Sequence, residues 1–423
     1  MNIRTLVSAA AAIGAATCIA DGNPSVSVTS VQQDSSRAVT VNYTLSGAAA
    51  IVTLDVYTNG VAISQENVWS ISGDANQLVE PGDRTLVWHP DKSWPNMKFT
   101  NGEVSFGVTA WSKDDPPMYM AANLVDKTVK YYTSEAGVPG GVTENPIYKT
   151  SVVLLRRIYA KDIPWMMGSA ASEPGRWTDG RETQHEVTLT HDYYIGVFPV
   201  TQKQWWYVKN SWPSYYNNVQ YREGRPVESV SFKDIRGAHY PSAAEDNSFL
   251  SVIGGSLGIA FDLPTNAQWE YACRANHGDG LWGDGSVIKA DMQAENFATE
   301  NDPNFNRLGR NPYNGGTGAT ANNNVAAAKD SSDEYGTPTV GSYDPNSWGL
   351  YDMHGGVWEI CLDSYNVNST VYGDGVYTKE ANTVVRGGCL KRAAARARSA
   401  FYASNAEDNK SESHGFRLAV TLP

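Results

Sequence analysis

Between Pro24 and Asp115 apolar and polar residues alternate in short runs. Ser25-Val26-Ser27-Val28-Thr29 is one, Ala38 to Leu45 another, and Ile51 to Tyr57 and Val104 to Trp111 follow. Turn signals such as Thr58-Asn59-Gly60 and Glu80-Pro81-Gly82-Asp83 separate them. Period-two runs bounded by turns predict half-buried strands, and their spacing predicts an all-β sandwich over 21–115. Asp114-Asp115-Pro116-Pro117 closes it, and 116–149, with Gly137-Val138-Pro139-Gly140-Gly141, reads as a linker. From about Thr150 the periodicity changes. Gln202–Asn210 and Asn266–Arg274 read as helices, the second capped by Thr265 with Gln268 at capping-box spacing. Most of the remainder, above all 276–345, reads as loop, and a loop that long is usually functional or braced by a metal.

The start of the chain has a different texture. Arg4 is the one charge in Met1–Thr5, and Leu6–Ala16 is an apolar run too short to span a bilayer. Cys18-Ile19-Ala20 offers small residues at a cleavage site, so 1–20 reads as a secretory signal and the protein as secreted or periplasmic. A lipid-modified Cys18 is the weaker alternative, because Thr17 fits that signal poorly. No later stretch approaches ~20 apolar residues, so no transmembrane segment is expected.

Composition narrows the partners. The 423 residues hold 33 Lys and Arg against 45 Asp and Glu, a net charge of −12, which argues against nucleic acid. Trp 13 and Tyr 23 outweigh Phe 10, so the aromatic stock leans towards rings with a polar handle, suited to partly wet grooves. Four cysteines do not build a disulfide scaffold. Only Cys273, Cys361 and Cys389 follow the leader, and one bridge with three open pairings is the most they allow.

The second region carries an ordered series of motifs. Pro164-Trp165-Met166-Met167-Gly168-Ser169, Glu186-Val187-Thr188-Leu189 and Tyr193-Tyr194-Ile195-Gly196 come first, running into Pro199-Val200-Thr201-Gln202. Next are Pro226-Val227-Glu228-Ser229-Val230-Ser231 and Leu263-Pro264-Thr265-Asn266-Ala267-Gln268-Trp269-Glu270-Tyr271-Ala272. Trp348-Gly349-Leu350-Tyr351-Asp352-Met353, Gly356-Val357-Trp358-Glu359, Val385-Arg386-Gly387-Gly388 and Gly415-Phe416-Arg417 complete it. This order resembles the formylglycine-generating enzyme, or sulfatase-modifying factor, family over 150–423. The resemblance implies an α+β fold related to C-type lectins, with little regular structure and a structural calcium. In one branch it implies copper-dependent oxidation of a substrate cysteine by oxygen.

The residues do not repeat that chemistry. The copper branch places two cysteines five positions apart just after Arg-Gly-Gly-Ser, a linear soft site for Cu(I). Here Cys389 stands at the Ser position, and the second cysteine falls on Ala397 or Ala394. Cys389 and Cys361 remain weak catalytic candidates, and copper is not expected. Iron is not expected either, since the His-x-x-x-His-x-Glu motif of another branch is absent. His185 and His191, at opposite ends of one predicted strand, lie roughly 20 Å apart, too far to share an ion. His354 and His414 read as packing and loop anchors.

For calcium, the resemblance implies Asn296 and the Phe297 carbonyl, with Asp330 or Asp333, as a first site. A second would use Val357 and Glu359, though the Asn of the family's motif is replaced by Gly356. It also implies that Arg396, Arg398 and Arg417 are structural arginines, the first two paired with carboxylates beneath the groove. Arg386, Lys391 and Arg392 read as solvated. The expected protein is an exported β-sandwich plus lectin-related domain that holds a peptide, glycan or protein ligand in an aromatic-rich groove. A metal-dependent thiol oxidoreductase is the alternative. A hypervariable display protein, varying between Gly388 and Gly415, is the second.

Overall fold

Strand alternation builds the first part of the chain. The protein, a computed structural model, is described over residues 22–96, 103–278, 280–286, 306–310 and 335–423. It divides into two units, one through residue 121 plus 129–145, the other 122–128 plus 146–423.

In the first unit, β1 (Ser25–Gln33), β2 (Val39–Ser46), β5 (Ile71–Gly73) and β7 (Gly82–Trp88) form one sheet, ordered β1-β2-β7-β5. A second sheet holds β3 (Ala50–Thr58), β4 (Val61–Ala62), β6 (Gln77–Val79) and β8 (Val104–Trp111). A helical turn, α1 (Pro90–Ser93), follows β7. Val39, Val41, Tyr43 and Leu45 all turn inward from β2, as period two requires, and meet Val52, Leu54 and Val56 of β3. Trp88 closes this core edge-on to Phe106 at 6.0 Å. The sandwich is therefore present. The stretch expected as a linker is not structureless, because it carries β9 (Tyr119–Asn123) and β10 (Thr128–Tyr132) with Tyr119, Met120 and Ala122 buried. Both strands are five residues long and lie between Pro-Pro and Gly-rich signals, which hid them.

The second unit is mixed, with few helices and small sheets. Its strand β14 (Tyr193–Gly196) lies between β11 (Val152–Ile158) and the C-terminal β19 (Ala419–Thr421), with Ile195 opposite both Arg156 and Ala419. The last strand thus returns to this sheet beside β14. Strands β12 (Pro164–Met167) and β13 (His185–Thr188) pair separately. A last sheet has the order β17-β16-β15-β18, with β15 Trp358–Ser364, β16 Thr383–Arg386, β17 Tyr402–Asn405 and β18 His414–Gly415.

Helices α2 (Gln202–Lys209) and α5 (Asn266–Arg274) stand where predicted, each opened by a full capping box, Thr201 with Gln204 and Thr265 with Gln268. A helical turn, α3 (Phe232–Ile235), and α4 (Phe249–Leu257) were not predicted. Gly254 and Gly255 inside α4 read as loop, yet Phe249, Leu250 and Ile253 bury one face and override that propensity. Every residue of α5 is buried. No helix among the described residues is long and apolar enough to cross a membrane.

Candidate functional site

Buried carboxylate–guanidinium groups tie the elements of the second unit together. Arg417, just after β18, donates through Nε to Oε2 and through Nη2 to Oε1 of Glu359 on β15, both at 2.6 Å. Trp269 Nε1 of α5 donates to the same Oε2 at 2.6 Å. Glu270 accepts from Arg274 at 2.8 Å, from Arg386 at 2.9 Å and from the Gly168 N–H at 2.8 Å. Burial pushes the Glu270 carboxyl up, but the two guanidiniums and that N–H outweigh it and hold the group below its ordinary value. Arg398 binds Glu182 through both terminal nitrogens and Glu173 at 2.6 Å. Arg398 and Arg417 are thus both buried and paired with carboxylates. Arg386 corrects the expectation of a solvated side chain, being 0% exposed. Arg396 corrects the other way, since its guanidinium meets rings instead of a carboxylate. It lies half-buried over Trp177 at 5.0 Å and Phe401 at 5.8 Å, with Arg181 over the same two rings.

The thiols are separate and buried. Cys273, Cys361 and Cys389 are all free, so the Cys361–Cys389 bridge that the sequence allowed is not formed. Cys361 Sγ donates to the Glu359 carbonyl at 3.7 Å, while burial pushes the Cys389 thiol up to about 11. Burial also lifts Cys361 well above its ordinary value and Cys273 to about 12. These are protonated, shielded thiols, the opposite of the thiolate that a nucleophile or a Cu(I) site needs. Ala397 fills one of the two positions considered for the second cysteine and packs under the Gly387-Gly388 turn. At Gly388, with φ +73°, an added Cβ would lie 2.8 Å from the Ala397 Cβ, so only glycine fits. The two cysteine candidates therefore do not fit a copper ion.

Sequence reasoning missed one Cys–His contact. Cys273 Sγ lies 3.6 Å from His354 Nε2 and 3.6 Å from Ser399 Oγ. The imidazole is already committed, because Nδ1 donates to Ala397 O at 2.7 Å and Nε2 accepts the Gly283 N–H at 3.0 Å. Burial first, partly offset by the Ala397 carbonyl, lowers its pKa to about 4. His354 is a neutral loop anchor, as its motif context implied. His185 binds the Thr183 and Tyr372 carbonyls at one end of β13, and His191 is exposed beyond the other.

The expected calcium ligands fall in two sets. Asn296, Phe297, Asp330 and Asp333 lie outside the described residues. At the second set, Arg417 and Trp269 take the Glu359 oxygens, Val357 is buried, and Leu390 N–H uses the Gly356 carbonyl at 2.8 Å. That set does not fit a hard cation, because a guanidinium fork already neutralises its one carboxylate. Among the described residues, no group of three or more His, Cys, Asp or Glu side chains could hold a metal ion.

What the geometry leaves open is a cleft of about 480 Å³ over the last sheet. Trp358, Val385 and Ala403, from three adjacent strands, line it with Asn405, Ser404 and Ala406. Arg392, Arg396, Asp408, Asn409 and His414 complete the lining. Burial first, with Arg392 and Lys391 adding to it, holds the His414 imidazole down near 4 and neutral. A second cleft of about 320 Å³ lies beside α2 and α4, where Lys410 pairs with Asp234 at 2.9 Å.

A family model described as the sulfatase-modifying factor enzyme 1-like domain matches residues 164–422. The chain is 29% identical to the chaperone protein LppX of Paenibacillus barcinonensis, over 42% of this chain and 64% of that protein. It is 28% identical to the formylglycine-generating enzyme of Mus musculus, over 37% of this chain and 38% of that one. The chain thus spans less than two thirds of either relative. Among solved structures, PvdO from Pseudomonas aeruginosa superposes with TM-score 0.48 and 19% identity, covering 64% of this chain and 95% of its own. The motif order and the matched span agree, and this chain belongs to the sulfatase-modifying factor enzyme 1-like family.

Proposed function

We propose that the second unit is a ligand-binding module that uses the cleft over the last sheet, in a protein exported by its 1–20 leader. The observation that carries this reading is a contrast at one place. The family's copper branch requires two thiolates just after its Arg-Gly-Gly-Ser, but here Cys389 stands at the Ser position, buried with its thiol pushed up to about 11, and Ala397, one of the two positions for the second cysteine, is 1% exposed. Beside them the cleft is open and polar, with Arg392 and Ser404 exposed. A site that keeps a groove and loses its thiolates retains recognition without oxidation. The test supplies the purified protein with copper, oxygen and a cysteine-containing peptide and follows oxygen uptake. No uptake above the protein-free rate supports the reading; peptide oxidation that saturates with substrate contradicts it.

A variable display surface is the second reading, favoured by one specific observation. Nine of the eleven residues lining the cleft fall in the single segment between Gly388 and Gly415. The buried anchor Arg398 in that segment is held by Glu173 and Glu182 instead. Substitutions at the lining positions would therefore recast the surface without touching the ion pairs below. Sequences from closely related strains test this: changes concentrated at 392, 396, 403–406, 408 and 409 support it, and an even spread overturns it.

A further inference from the structure

The charges around the cleft are not balanced among themselves. Lys391 pairs with Glu412, and His239 with Glu407. Arg398, Arg386 and Arg417 are consumed by buried carboxylates. Arg392 and Arg396, which line the cleft, have no carboxylate partner among the described residues, and Asp408 is the one acid facing them there. Asn405 adds a second, independent sign. It is 4% exposed, its Oδ1 accepts from Asn409 at 2.7 Å, and its buried Nδ2 has no hydrogen-bond partner. A buried amide donor without an acceptor is destabilising, and an incoming acceptor removes that penalty.

We propose, building on the ligand-binding reading above, that this cleft binds an acidic peptide, with a carboxylate held by Arg392 and Arg396 and a peptide carbonyl accepting from Asn405 Nδ2. Paired guanidiniums suit a planar carboxylate, and the amide suits a neutral carbonyl. The floor favours a peptide over a sulfated glycan. Trp358 is 4% exposed, and Arg181 and Arg396 cover Trp177 and Phe401, so a sugar ring finds no free aromatic face. Val385 and Ala403 instead offer small apolar contacts for the side-chain stems of a peptide.

The test uses three probes on the full protein: a short peptide of alternating glutamate and serine, its glutamine counterpart, and a heparin oligosaccharide. Calorimetry reads affinity, and Ser404→Cys reports occupancy of the cleft by protection from alkylation, the native thiols being buried. The glutamate peptide is expected to bind, to protect the new thiol, and to outcompete its glutamine counterpart by about tenfold or more. Arg392→Gln, at an exposed side chain that leaves the ion pairs intact, is expected to remove that preference, as is Arg396→Gln. Equal affinity for the two peptides, or an unchanged preference in Arg392→Gln, overturns the inference. Protection by the glutamine peptide or by the oligosaccharide alone also overturns it while leaving the ligand-binding reading in place. Binding of none of the three overturns it outright.

Discussion

Arg417 grips Glu359 with two hydrogen bonds of 2.6 Å, and the two side chains are 0% and 1% exposed. This pair joins the last strands of the chain to β15, and Trp269 ties it to α5. Removing one partner leaves the other charge buried alone, at a cost of about 3–5 kcal/mol. Glu359→Gln and Arg417→Met should each destabilise by that order in urea unfolding. Glu359→Met with Arg417→Met should cost less than the sum of the two single apolar changes. Strict additivity would show that the pair is not coupled.

The thiols give a chemical prediction. With Cys389 pushed up to about 11 and Cys273 to about 12, thiolate at pH 8 is scarcer than for a free cysteine by about two orders of magnitude at Cys389 and about three at Cys273. Alkylation of the folded protein by iodoacetamide should be slow at Cys273, Cys361 and Cys389 and become fast at all three in denaturant. Rapid native labelling at Cys389 would contradict the burial argument.

Opposed titrations shape the pH dependence. Burial lowers His354 and His414 to about 4, so their contribution is present above ~6.5 and lost as pH falls towards 4. Burial raises Asp352 to about 6, only partly countered by the Gly341 N–H, and raises Asp363 to about 6. Those contributions are present below ~3.8 and lost as pH rises towards 6, so the two sets offset each other between pH 4 and 6. Asp352→Asn should raise stability at pH 7 by up to about 3 kcal/mol and steepen the fall towards pH 4. Urea midpoints across that range check it, and a profile parallel to the parent's would contradict it.

Much of this was legible in the chain. Period-two runs marked the sandwich strands, Thr265 and Gln268 announced α5, and the motif order carried the family. Partner choice across long sequence separations was not legible. The family resemblance implies Glu359 as a calcium ligand, but Arg417, 58 residues on, occupies it. Arg386 looked like one of a solvated basic run, yet β16 points it inward at Glu270, 116 residues away. The spacing rules of single elements carry no such information. Arg386→Lys tests how far that inward role matters: it loses the fork that also reaches Asn266 and the Ser399 carbonyl, and should destabilise by about 2–3 kcal/mol in urea unfolding. A change below about 0.5 kcal/mol would show the network to be dispensable.

The central proposal is that the groove serves recognition without thiol chemistry. Anaerobic titration with cuprous ion against a competing chelator tests it most directly, run on the parent and on Cys389→Ser. The account predicts the same weak copper uptake in both. A tight one-to-one site in the parent that vanishes in Cys389→Ser would contradict it.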